Sequence, residues 1–142
     1  MAEYCKDTEA LKRIIRYCDR IHNAIERFGS SFEMFQADYD YQSSCAMYIL
    51  QIGESANRLS SAIKDKHNDI PWRDIIGMRN VFAHDYENID VEKIWETLWD
   101  DIIYLREKCY QIVLGFEPDY AADADYDEYL THDEDELDFE PD

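Results

Sequence analysis

Residues 45–63 read CAMYILQIGESANRLSSAI, and their apolar members Cys45, Ile49, Ile52, Ala56, Leu59 and Ile63 fall at steps of four, three, four, three and four. On an α-helix these steps hold one apolar seam on one face, the pattern of helices packed in a bundle. The spacing predicts one long helix over the whole stretch, running out at the polar run KDKHND from Lys64.

The same periodicity extends outward on both sides. Leu11, Ile14, Ile15, Cys18, Ile21, Ile25 and Phe28 predict a helix of about six turns, with Asp7 or Thr8 as its cap and Gly29 at its left-handed end. Ser30 with Glu33 matches a capping box, so helix restarts at once and lasts to the Ala37-Asp38 region. Pro71 suits the first turn of a shorter helix, PWRDIIGMRNVFAH, over 71–84. Asp90 caps a last helix striped by Val91, Ile94, Trp95, Leu98, Ile102, Leu105, Cys109 and Ile112, which Gly115 and Pro118 stop. No segment alternates with period two over a strand's length. The expected fold is all-α: an antiparallel bundle of three long helices and one or two short ones in a single domain, residues 1–116.

Charge divides the chain at the end of that domain. The formal net charge is −19, but thirteen of the thirty-three acids lie between Glu117 and Asp142, where there is no Lys or Arg. Twenty acids then face fourteen bases in residues 1–116, so the body is only mildly acidic and a polyanion is not excluded from it locally. Residues 117–142 are expected to be a disordered acidic tail, either merely solubilising or shielding a site by resembling a nucleic-acid strand. The opening residues MAEYCKDTEA lack the basic-then-apolar build of a signal peptide, and no apolar run is long enough to cross a bilayer, which predicts a cytoplasmic protein with no membrane association. Cys5, Cys18, Cys45 and Cys109 form no C-x-x-C pair, and three of them fall on apolar faces, as reduced core thiols do.

The chemistry concentrates in RNVFAHDY, Arg79 to Tyr86. A step of five on a regular helix turns 500°, so Arg79 and His84 project about 140° apart, while Tyr86 returns to the arginine's side. Either the helix loosens near Ala83, or the site is shared between two chains about a symmetry axis. A bland alternative makes Arg79 and His84 charges at a helix C-terminus and Tyr86 a residue that closes the bundle. His22, His67 and His132 stand apart without the spacing of a metal site, so no metal and no cofactor are expected.

IGESANRLS (52–60), IPWRDIIGMRNVFAHDY (70–86) and IWETLWDDI (94–102), in that order, resemble the HepT-like branch of the HEPN superfamily over roughly residues 8–115. The resemblance implies a homodimeric helical bundle that cleaves RNA without a metal ion through an R-x4-H-x-Y motif at the dimer interface, matched here by Arg79, His84 and Tyr86. It also implies a toxin partnered by a minimal nucleotidyltransferase antitoxin of the MntA type, which would neutralise it by attaching AMP to Tyr86. Histidine, titrating near pH ~6.5, suits proton transfer from a ribose 2′-hydroxyl, and arginine suits the charge that grows on the phosphoryl oxygens. Asn80 and Asp85 are supporting candidates, the first orienting phosphate or histidine and the second capping or pairing with a base. Glu54 either holds Arg79 in place or is a solvated surface acid. A different class of function stays open: a catalytically silent helical module that binds a nucleotidyltransferase or a nucleotide, or a scaffold that only dimerises.

Overall fold

Leu11, Ile14, Ile15, Cys18, Ile21 and Ile25 are all buried, and so is every member of the Cys45–Ile63 seam. The computed structural model describes residues 2–80 and 90–122, with side chains from residue 5 onward. It contains helices α1 (Ala2–Phe28), α2 (Phe32–Ala37), α3 (Tyr39–Asn57), α4 (Ser61–Lys66), α5 (Trp72–Gly77) and α6 (Val91–Phe116), and no strand among the described residues. The all-α class therefore stands, with three long helices and three short ones among the described residues rather than one or two.

Helix α1 is the centre of the bundle and packs along both α3 and α6. Cross-helix pairs fix the directions. Tyr17 meets Tyr48 and Phe28 meets Tyr41, while Asp7 reaches Ser60, so α3 runs antiparallel to α1. Lys12 pairs with Glu117 and Asp19 with Arg106, so α6 does the same on the other flank. Each fully buried Ile or Leu in these seams contributes about 1.5–3 kcal/mol of transfer free energy, and the stripe of α6 supplies Ile94, Leu98, Ile102, Leu105, Cys109, Ile112 and Val113. One end of the bundle is aromatic: Phe35 lies edge-on to Tyr41, 4.8 Å between centroids, and 5.1 Å from Trp95.

Helix ends follow local chemistry, and here several expectations change. Gly29 does take the left-handed conformation, φ 115°, and its N–H donates to the Ile25 carbonyl at 2.9 Å. The cap of α2 is Ser31 and not Ser30: the Ser31 hydroxyl accepts from the Met34 N–H at 3.2 Å. Asp38 both closes α2 and opens α3, its Oδ1 accepting the N–H groups of Asp40 and Tyr41. Asp90 caps α6 as expected, accepting from the Lys93 N–H at 3.1 Å.

The predicted long helix over 45–63 is in fact two. Helix α3 stops at Asn57, and the Arg58 and Leu59 N–H groups turn back to the carbonyls of Ser55 and Ala56 in a tighter turn. Ser60 is extended and caps α4 through the Ile63 N–H at 3.3 Å. Asp7 secures this break. It is not the cap of its own helix, because α1 starts at Ala2 and buries both Asp7 and Thr8; its carboxylate instead accepts the Ser60 N–H at 2.8 Å and the Ser60 hydroxyl at 2.6 Å. Leu59 and Ile63 stay buried on either side, so the apolar rhythm passes through the break unaltered.

Residues 117–122, the start of the acidic segment, lie against the body. Glu117 pairs with Lys12 at 2.7 Å, Tyr120 stacks near Tyr110 with the Lys12 ammonium 5.3 Å from its ring centre, and Ala122 is buried. The expectation of disorder beyond them falls outside the described residues. Cys18, Cys45 and Cys109 are buried free thiols and Cys5 is exposed. Burial pushes the Cys45 thiol up to about 12 and those of Cys18 and Cys109 well above their usual value. No helix among the described residues is long and apolar enough to cross a membrane.

Candidate active site

Arg79 is placed by a short helix that ends early. Trp72 and Ile75 anchor α5 against the bundle, the Trp72 indole N–H donating to the His67 carbonyl at 3.0 Å. The helix then stops at Gly77, well before the expected His84. The Met78 N–H reaches the carbonyls of both Asp74 and Ile75, and the Arg79 N–H donates to the Ile76 carbonyl at 3.3 Å, so Met78 and Arg79 form a tightened turn. Asn80 is exposed and helical again. The helix thus loosens at Met78–Arg79, where the motif begins, so the 140° angle between Arg79 and His84, which assumed one regular helix, no longer constrains them; the expected loosening near Ala83 lies outside the described residues.

Gly53 makes this placement possible. A Cβ at Gly53 would lie 3.1 Å from both the Arg79 Cβ and the Arg79 amide nitrogen, and 3.2 Å from the Ile75 carbonyl oxygen. The arginine's backbone therefore sits directly on α3, close enough that any larger residue at position 53 would require it to give by a few tenths of an ångström. One position on, Glu54 Oε1 stands 3.7 Å from the Arg79 guanidinium. That distance makes an ion pair without a tight hydrogen bond, and the side chains keep 32% and 43% of their surface. Such a pair adds little to stability. It does hold a guanidinium with donors to spare at the surface, where a phosphate can meet it.

Of the sequence candidates, the structure brings together Arg79 and Glu54, with Asn80 beside them in the chain. His84, Asp85 and Tyr86 lie outside the described residues. Gly53 was missed by motif reading, although a glycine in the middle of a long helical pattern is itself a sign of close backbone approach. Ser55, completing the GES triplet, is buried with no hydrogen-bond partner for its hydroxyl among the described residues. A cleft of about 610 Å³ between α5 and α6, lined by Arg73, Asp74, Met78, Lys93 and Tyr104 among others, is not lined by Arg79. Among the described residues no group of three or more His, Cys, Asp or Glu could hold a metal ion.

A small helical bundle that presents an arginine on a turn packed against α3 defines a class, and comparison with known proteins gives it a family. The ribonuclease HepT-like family model matches residues 8–112, and this chain belongs to that family. A protein of Thermococcus cleftensis provisionally named ribonuclease HepT is 34% identical over 97 residues, covering 65% of this chain and 88% of that one. A provisionally named RNase of Caldanaerobacter subterraneus subsp. tengcongensis is 29% identical over 103 residues, covering 72% of this chain and 90% of its own length. Another such RNase, from Methanocaldococcus jannaschii, is 29% identical over 104 residues, 73% of this chain and 88% of the relative. No solved structure matches the chain significantly.

Proposed function

We propose that this ribonuclease-family protein is the toxin of a toxin–antitoxin pair, a homodimeric endoribonuclease that needs no metal ion and is silenced by AMP attached to Tyr86. The observation that carries the reading is the seating of Arg79: its backbone rests on Gly53 and its guanidinium is steadied by Glu54 while still open to an anion. In the reaction, the His84 imidazole takes the proton of a ribose 2′-hydroxyl. The 2′-oxygen attacks the adjacent phosphorus, the bond to the 5′-oxygen breaks, and the His84 imidazolium returns a proton to that leaving oxygen. Arg79 stabilises the charge on the phosphoryl oxygens as it builds. Asn80 helps orient the phosphate or the histidine, and Asp85 caps or pairs nearby. The products are a 2′,3′-cyclic phosphate and a 5′-hydroxyl.

The test is purified protein on RNA in the presence of EDTA. Cutting should persist, with cyclic phosphate ends, and Arg79→Ala and His84→Ala should each lose at least ~100-fold without unfolding. Activity abolished by chelator, or indifferent to His84→Ala, refutes the mechanism; a protein that binds a nucleotidyltransferase but never cuts is the silent module instead. Sedimentation at micromolar concentration tests the dimer, and a fully active monomer refutes it. An AMP on Tyr86 adds a negative phosphate and a bulky nucleoside two residues from His84, blocking RNA by charge and by size. Tyr86→Phe should therefore keep its activity and escape the antitoxin, a minimal nucleotidyltransferase. Equal mass gain by wild type and Tyr86→Phe after incubation with antitoxin and ATP refutes that assignment.

A further inference from the structure

Charge on the folded body is sorted by face. Lys6, Arg13, Arg16, Arg20 and Arg27 fall within roughly 80° of arc on α1, with Glu9 as the acid among them. Turned outward on α6 are Glu92, Glu96, Asp100, Asp101 and Glu107, against Lys93 and Lys108. In a chain of net charge −19, the outer face of α1 is where a polyanion finds cations gathered.

That face also carries aromatic rings. The Arg20 guanidinium carbon stands 5.5 Å from the centre of the Tyr17 ring and 5.9 Å from that of Tyr48, on α3. The two rings are 6.0 Å apart and inclined at 33°. Both tyrosines, like Arg13, Arg16 and Arg20, are half-buried, so their positions are set by packing and not by solvent. On the flanking turns of α3, Ser44 and Gln51 are uncharged. Cations that track a phosphate chain, interleaved with rings on which bases stack, are what a single strand of nucleic acid requires of a protein surface.

We propose that the α1–α3 face bearing Arg13, Arg20, Tyr17 and Tyr48 is a docking track for single-stranded RNA, outside the cleavage site. The proposal rests on the ribonuclease reading and extends it: the protein grips its substrate on α1 and cuts it beyond α3. Tyr48 and Glu54 share α3 and lie ~9 Å apart along its axis, so a strand on the track reaches Arg79 within a few nucleotides. Lys12, at the edge of the face, holds Glu117 and Tyr120 and brings the chain to Ala122 beside the track. The eleven acids that follow in sequence carry the charge to compete for the same cations.

The experiment uses the full-length protein and a fluorescent 12-nucleotide 2′-O-methyl RNA, which lacks the attacking hydroxyl and so reports binding alone. Arg13→Ala and Arg20→Ala should each weaken binding about tenfold at low salt and flatten the slope of log affinity against log salt by about 0.7 for each lost phosphate contact. Tyr48→Phe should bind as wild type and Tyr48→Ala about tenfold worse, because the ring face is what stacks. On cleavable RNA the same variants should raise KM for long strands and leave kcat, and the cutting of a trinucleotide, unchanged. Arg13 is outside the core, so it decides the matter even where Tyr48→Ala disturbs folding. Unchanged affinity and KM in Arg13→Ala and Arg20→Ala overturn the track while leaving the ribonuclease reading intact. A wild type that binds on the track and cuts nothing overturns that reading and not the track.

Discussion

Replacing Gly53 with alanine separates what positions Arg79 from what stabilises the fold. In a helix interior alanine is favoured over glycine by about 1 kcal/mol, so on an unhindered helix the change would stabilise. Here the new methyl would stand 3.1 Å from the Arg79 Cβ and amide nitrogen and 3.2 Å from the Ile75 carbonyl. Two of these three atoms are backbone and cannot rotate aside, so the turn after α5 must retreat by a few tenths of an ångström. Overpacking of this kind costs about 1–3 kcal/mol, which leaves a net loss of roughly 0–2 kcal/mol and a melting temperature lower by at most ~8 °C. Catalysis should fall as well. The guanidinium is carried outward with its backbone by the same few tenths of an ångström, and since a full ~1 Å misplacement costs on the order of 100-fold, cleavage should drop by roughly 3- to 10-fold. Thermal melts and RNA cleavage measured on the same preparations decide it. A Gly53→Ala protein that melts higher by the full helix-propensity gain and cuts RNA at the wild-type rate refutes the close approach.

Asp7→Ala should lower stability by about 2–3 kcal/mol, since it strips both hydrogen bonds from a buried carboxylate to Ser60; denaturant midpoints check it, and a change under ~0.5 kcal/mol refutes the role of Asp7 in closing the α3–α4 break. One thiol per native chain, Cys5, should react quickly with a disulfide reagent and the other three only on unfolding; two fast thiols contradict the burial. The Cys45 thiol and the Tyr41 hydroxyl are both raised to about 12, chiefly by burial. The unfolded chain therefore ionises first, so the stability they contribute is intact below about pH 9 and is lost as pH rises towards 12; flat stability across that window refutes it. Ending the chain at Ala122, which keeps the contacts of Glu117 and Tyr120, should strengthen RNA binding most at low salt; no change across a salt series leaves the tail as a solubiliser only.

The helices were legible because amphipathic periodicity is a local record of which face is buried. The stripes of α1 and α6, the Asp90 cap and the left-handed Gly29 all follow from residues within a turn or two of one another. Family membership was legible too, since IGESANRLS and RNVFAHDY keep their order and spacing in the chain itself. Tertiary contacts decided where helices break. Within 45–63 the only local mark of the break after Asn57 is the cap residue Ser60, and the apolar rhythm masks it because Leu59 and Ile63 remain buried on either side; the group that secures it is Asp7, fifty-three residues away from Ser60. The same holds at the site. Sequence offered Glu54 as either a partner of Arg79 or a solvated acid, and spacing could not choose, because the answer depends on how α5 lies on α3. That contact is set by the absence of a side chain at Gly53, a feature whose meaning exists only once the Arg79 backbone is seen against it.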